Sequence, residues 1–190
     1  MDFANLVLRN RSYRRFHENF PVPRQTLVDL VDLARLTASA RNLQPLKYFL
    51  SHEPHRNALV FPLLAWAGYL PDWPGPGIGE RPAAYIVMLG DTRLARDFAV
   101  DSGIAAQTIL LGASSLGLGG CIVGSVQRDR LRQVLQIPAT CEILLVLALG
   151  KPRETIVVEN VGPERGIEYW RDEAGVHHVP KRSRDEIILG

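Results

Sequence analysis

The chain has 190 residues, 46% of them hydrophobic and 22% charged, with 22 basic and 20 acidic side chains and a formal net charge of +2. That length predicts one domain around one substantial core, and the absence of any long like-charge block argues against a nucleic-acid footprint or a polybasic membrane segment. The start carries an acid at Asp2 with Arg9 and Arg11 close behind, unlike a signal peptide, and the most apolar stretch, Ile143 to Leu149, is far too short to span a bilayer, so a cytoplasmic protein is expected.

Residues 2 to 9 read as a short helix, and Pro23 to Leu36 as a clearer one, with Leu27, Leu30, Val31 and Ala34 at helical spacing and Pro23 suited to the first turn. Between them lies Asn10-Arg-Ser-Tyr-Arg-Arg-Phe16, three guanidinium groups and a hydroxyl within seven positions. Arg offers a fixed fork of donors that matches phosphate, and Ser12 can add another hydrogen bond, so this segment suits a phosphorylated ligand. The stretch Thr37-Ala-Ser-Ala-Arg-Asn-Leu-Gln-Pro45 is a second cluster of amide and hydroxyl donors on the far side of the helix. Leu46 to Ser51 reads as a strand. His55 to Tyr69 has a helix-like pattern interrupted by Pro62, and Pro71 to Pro82 is so dense in Pro and Gly that an irregular surface loop is expected. Loops of that length commonly serve a site.

Ala83 to Leu89 reads as a strand, and Leu94 to Leu116 as a long helix that is apolar nearly all round, which belongs in the middle of the core. Gly117 to Gly124 then supplies a helix stop and a stretch of backbone with little side-chain cover, against which a flat ligand could lie. A short helix over Arg128 to Leu135 and a strand over Glu142 to Leu149 follow. The tail beyond Arg153 is polar, with Trp170 and a strand-like Val176 to Val179, and reads as an arm that packs on a partner. His177 and His178 would point to opposite faces of a strand and cannot share one metal, so an exposed strand-end pair is expected; Cys121 and Cys141 read as buried thiols with no zinc-ligand spacing. The order of elements lacks a regular βαβ alternation, and the one glycine cluster follows a helix, which removes a dinucleotide-binding Rossmann fold. A mixed α+β sheet covered by helices remains.

The two N-terminal clusters and Gly117 to Gly124 together resemble the FMN-dependent nitroreductase family, whose members share an Arg-x-Ser-x-Arg type start and a Ser-x-x-Asn-x-Gln-Pro segment. Asp101 to Gln107, leading into Leu116 to Gly119, resembles that family's central helix and following turn, and Val179-Pro-Lys-Arg-Ser183 resembles its basic C-terminal segment. The resemblance covers nearly the whole chain. It implies a single FMN-binding unit over residues 1–190, with a mainly antiparallel sheet surrounded by helices and an extended C-terminal arm. It also implies a homodimer with FMN at the subunit interface, reduced by NADH or NADPH, that passes electrons to a small planar acceptor such as a nitroaromatic or quinone.

By the same resemblance Arg11 and Ser12 would hold the phosphate, and Arg14 would sit near the N1 and O2 edge of the flavin, where a permanent positive charge favours the reduced form. Ser39, Asn42 and Gln44 match the second motif, which approaches the cofactor across the interface or through its adjoining backbone. Val123 and Gly124 match the backbone that lies along the ring near N5, and Lys181 and Arg182 match basic residues that complete the phosphate site. No catalytic acid, base or nucleophile is implied, because the chemistry is the cofactor's. The chain departs from the pattern at Asn10, where many relatives carry Arg, and at Ala38 and Leu46. Its short region before Ala83 leaves Trp66, Tyr69, Trp73 or the Pro/Gly loop to cover the flavin. These departures keep a second class open, a flavin-binding or flavin-storing dimer without turnover.

Overall fold

The computed structural model describes residues 2–162 and 166–190. In chain order its elements are α1 (Phe3–Arg9), α2 (Arg24–Arg35), a 3-10 turn (Ala40–Asn42), β1 (Leu46–Ser51), α3 (Pro54–Val60), a second 3-10 turn (Phe61–Leu63), β2 (Ala84–Asp91), α4 (Ala99–Ser115), β3 (Gly119–Val123), α5 (Arg128–Leu135), β4 (Cys141–Gly150), β5 (Ile156–Asn160), β6 (Trp170–Arg171), β7 (His177–Lys181) and α6 (Arg184–Ile187). The main sheet runs β1-β2-β4-β3 with every pair antiparallel. β2 is buried at each of its eight positions, as a strand covered on both faces must be. Ile86 and Met88 belong to the layer formed with Leu27 and Leu30 of α2 and Ile109 of α4. Tyr85, Val87 and Leu89 belong to the opposite layer, with Val60, Leu63 and Leu131. The alternation follows from the two-residue period of a strand.

The long apolar helix lies against this sheet and α2, so closely that a Cβ on Gly112 would stand 2.8 Å from both Leu30 and Leu33. It begins at Ala99, later than the pattern predicts, because the polar residues before it find partners locally. Arg93 N–H donates to the Asp91 carboxylate, Leu94 N–H to the Asp91 carbonyl, and Ala99 N–H to Asp97 Oδ1. The stretch from His55 is helical only as far as Val60 and then tightens into one 3-10 turn at Pro62. Pro has no N–H to continue the helix. Gly117 to Gly124 is more than a helix stop, since Gly119–Val123 is the edge strand of the main sheet. Only Gly fits at 120, where a Cβ would stand 2.5 Å from the Ala148 carbonyl oxygen.

Much of the tail is not a free arm. Its strands make a second sheet, β5-β7-β6, with β5 parallel and β6 antiparallel to β7. This sheet folds onto its own chain, Tyr169 packing on Tyr69 with centroids 4.9 Å apart and Arg171 lying 4.8 Å over Trp73. Residues 182–190 are exposed, Leu189 at 95%. The histidine pair does face two ways, but His177 is 1% exposed, correcting the expectation of an exposed pair. Covering by Arg14 and Tyr169 buries it. His178 stacks on Trp170 at 4.1 Å between the carboxylates of Glu159 and Asp172. Both cysteines are buried and free, and no helix among the described residues is long and apolar enough to cross a membrane.

Candidate active site

Asp2 caps the start of α1, and the N-terminal basic segment leaves that helix at Asn10, whose backbone turns extended. Asn10 is 8% exposed and its Oδ1 faces Ser114 on α4, so the position where an Arg was expected points into the protein. Arg11 folds back on α1, donating from Nε to Asn10 O at 2.6 Å and from Nη2 to Val7 O at 2.7 Å. Those are carbonyls the helix end leaves unpaired, and a cation is favoured there. The chain then runs along the open edge of β3: Ser12 pairs with Gly120, and Tyr13 N–H donates to Gly120 O at 3.0 Å. Because main-chain groups alternate sides along a strand, Ile122 presents its N–H and C=O to the same edge. Thus Arg11 and Ser12 come alongside the segment ending at Val123 and Gly124.

Glu154 anchors the next two residues. Its side chain is 1% exposed, its Oε1 accepts the N–H groups of Arg14 (2.5 Å) and Arg15 (3.2 Å), and its Oε2 accepts from Arg171 at 3.2 Å. Arg14 extends over the Tyr169 ring, 4.8 Å from its centroid, and its Nη1 lies 3.3 Å from His177 Nε2 and 3.2 Å from Ser12 O. Burial, with Arg14 and Arg171 nearby, pushes the His177 imidazole down to about 4, so near neutral pH it is uncharged and accepts from Arg14 at Nε2. The third guanidinium does not serve the site. Arg15 makes a bidentate pair with Glu80, at 2.5 and 2.8 Å, whose carbonyl accepts Phe16 N–H.

The second cluster forms a strained loop in which Arg41, Asn42 and Gln44 hold positive φ of 53°, 56° and 49°. Such conformations persist only when surroundings impose them. Here the anchor is Asp101, 5% exposed near the start of α4, which accepts Ser39 Oγ–H at 2.6 Å and Ala40 N–H at 2.8 Å. Ser39 Oγ in turn accepts Gln44 N–H at 2.9 Å, so its hydroxyl is committed within the loop. Asn42 and Gln44 are exposed, the Gln44 amide donating to Asn42 Oδ1 at 3.2 Å. Ser39, Gln44, Tyr48 and Asp101 line a cleft of about 230 Å³, where burial pushes the Tyr48 hydroxyl up to about 12.

Val123 is 4% exposed with its side chain in the core, leaving only its backbone for a ligand. Gly124 is exposed, and a Cβ there would meet nothing within 4 Å. Lys181 and Arg182 stand at the far end of β7 from His177, about 13 Å along an extended strand, with Arg182 paired to Glu186. No described contact joins them to Arg11 or Ser12.

The family model for the nitroreductase family matches residues 7–151. The chain belongs to the nitroreductase family. It is 25% identical over 199 residues to an NADH dehydrogenase of Thermus thermophilus, covering 90% of this chain and 97% of that one. A shorter match, 41% over 56 residues, is to an NADPH-flavin oxidoreductase of Vibrio harveyi and spans 28% of this chain and 23% of that protein. A structure in complex with FMN from Exiguobacterium sibiricum superposes with a TM-score of 0.67 at 17% identity, covering 81% of this chain and 90% of that one, which shows the shared fold.

In this nitroreductase-family chain, Glu154, Asp101, His177 and Tyr169 organise the candidate site, and none was among its expected members. Asp101 opens the Asp101 to Gln107 segment that carried the family resemblance, the one signal that pointed to it; its place near the start of α4 and beside the 39–44 loop is set by the fold. The aromatic cover is split. Tyr69 packs on Tyr169 and so reaches the Arg14 cluster, whereas Trp66 packs on Phe61 at 5.9 Å and Trp73 under Arg171.

Proposed function

We propose that this chain is an FMN-dependent oxidoreductase, a cytoplasmic homodimer in which the whole polypeptide acts as one flavin-binding unit. NADH or NADPH is the hydride donor, and a small planar molecule such as a nitroaromatic or quinone is the acceptor. Family membership, the FMN of the Exiguobacterium structure and the flavin and NADPH in the name of the Vibrio relative support this reading. The observation that carries it is the Tyr13 to Gly120 hydrogen bond, which sets the basic segment against the edge of β3.

The residues present fit the cofactor. Among the described residues nothing pairs with Arg11 Nη1, Ser12 is exposed, and a Cβ on Gly124 would meet nothing within 4 Å. Arg11 and Ser12 would hold the phosphate and Val123 and Gly124 would offer backbone to the ring, while Lys181 and Arg182, which no described contact joins to Arg11 or Ser12, would close the phosphate side as the family motif implies. Ser39, Asn42 and Gln44 act across the subunit interface, their loop shaped by Asp101. When bound, FMN supplies the hydride and electron chemistry. Arg14 contributes a fixed positive charge, aimed by Tyr169 and the neutral His177, that favours negative charge on the flavin edge. Exposed apolar side chains on α1 and α4 and at the C-terminal caps of α2 and α4, including Phe3 at 71%, Leu36 at 67%, Val100 at 64% and Leu116 at 60%, support a dimer.

Asn10, turned into the protein where many relatives carry a further Arg, favours a second reading, a flavin-binding dimer without turnover. Anaerobic addition of NADH and NADPH to the yellow protein separates the two: bleaching of the flavin band supports the enzyme, and a band that ignores both supports the binder. Replacing Arg11 and Arg14 together by Ala should weaken FMN binding by several kcal/mol, at roughly 1.5–3 kcal/mol per charge-assisted hydrogen bond. Unchanged affinity would reject their roles.

A further inference from the structure

Beside the turn that follows the basic segment there is a cavity of about 440 Å³, of small-ligand size. Its walls come from the turn before α2 (Glu18 to Pro23), from His52 after β1, from α3 with Phe61, and from Arg81 to Ala83 leading into Tyr85. None of the cofactor candidates lines it. Phe20, Val22, Phe61 and several prolines make the lining mostly apolar, and two polar groups there lack partners: Tyr85, 0% exposed, has an unpaired hydroxyl, and the buried Nε–H of Arg81 has no acceptor. Buried donors are ordinarily satisfied, so two orphans on one cavity call for an explanation.

Arg81 has no ion-pair partner among the described residues. Its guanidinium stacks 4.4 Å over the Phe61 ring, which fixes its plane and leaves its N–H edge for an acceptor. The neighbouring anion, Glu18, turns its Oε2 to the backbone N–H groups of Gly79 and Arg81 and not to the Arg81 guanidinium. Asn57 is likewise spent, on Ser51 Oγ–H and Ala83 O.

We propose that this cavity binds a small monocarboxylate with a flat apolar body, its carboxylate on Arg81 and Tyr85 and its body among Phe20, Phe61 and the prolines. The Nε and Nη edge of a guanidinium without an ion pair matches a planar carboxylate side-on, and the nearby Glu18 carboxylate disfavours a dianion such as phosphate more strongly than a monoanion. The site goes beyond the flavin reading and shares no residue with it.

The test is saturation-transfer NMR and a thermal-shift titration of the purified protein with benzoate, with neutral benzamide and inorganic phosphate as the other probes. Benzoate should bind and raise the melting temperature, while benzamide and phosphate should bind at least about ten-fold more weakly, the loss of one charge-assisted hydrogen bond. Arg81→Gln should weaken benzoate by about the same factor. Tyr85→Phe should weaken benzoate severalfold and yet raise the melting temperature of the ligand-free protein, because it removes a buried hydroxyl that has no partner. If Arg81→Gln fails to fold, the benzoate and benzamide comparison on the unaltered chain still decides. No benzoate binding at millimolar concentration, equal binding of benzamide, or a lower ligand-free melting temperature for Tyr85→Phe would overturn the proposal.

Discussion

Replacing Asp101 by Ala tests whether one buried carboxylate holds the strained 39–44 loop. Asp101 accepts two hydrogen bonds, 2.6 Å from Ser39 Oγ and 2.8 Å from Ala40 N, and sits where the positive end of α4 favours a negative charge. At about 1.5–3 kcal/mol per bond to a charged acceptor, the gross loss is roughly 3–6 kcal/mol. The variant also no longer desolvates a carboxylate, which offsets part of that, so we expect a net cost of about 3 kcal/mol. For a chain of this size that lowers the melting temperature by about 6–12 °C. Asp101→Asn keeps an acceptor for Ala40 N–H and points its amide at a Ser39 oxygen with a spare lone pair, so it should cost only about 1 kcal/mol. Urea denaturation at pH 7 and fixed protein concentration gives both values. An Ala variant within 1 kcal/mol of the parent, or an Asn variant as damaged as Ala, would refute the anchoring argument.

Gly120→Ala should cost about 1–3 kcal/mol, because its Cβ would press on a strand carbonyl that cannot move aside, and should loosen the basic segment bonded to Gly120 O; urea melts and FMN titration read both. Two acid transitions are expected in denaturation midpoints measured against pH. Burial holds His177 at about 4 against an ordinary 6.5, so the unfolded chain binds the proton more readily and stability falls as pH drops between those values; His177→Phe should flatten that limb. Arg93 holds Asp91 at about 2 against 3.8, so its contribution is complete above 3.8 and disappears as pH falls toward 2, and Asp91→Asn should remove that second step. If either variant leaves its own limb unchanged, the corresponding pairing is wrong.

The elements that sequence reasoning placed well are those governed by local rules. α2 shows its apolar stripe and its Pro start, β2 and β4 are apolar runs between breakers, and the basic segment announces itself by composition. The edge strand β3 was hidden because glycines read as a turn when no neighbour is in view, and whether they form a strand depends on β4. The tail misled for a related reason. Its strands are short and polar, and among the described residues they gain cover from partners such as Trp73, Arg14 and Glu154 that no local pattern announces.

By itself the sequence determined which donors exist and where they cluster: Arg11, Ser12, Arg14 and Arg15 in one segment, Ser39, Asn42 and Gln44 in another, and a glycine-rich run of little-covered backbone ending at Gly124. Only the tertiary structure decided which of them are free to meet a ligand. Arg15 is taken by Glu80, 65 positions away, Ser39 by Asp101, 62 away, and Arg14 is held by His177, 163 away. Donor chemistry is a property of the residue and can be read locally. Its availability is set by which acceptor the fold brings within 3 Å or so, and that depends on pairings between segments whose separation along the chain carries no local signature.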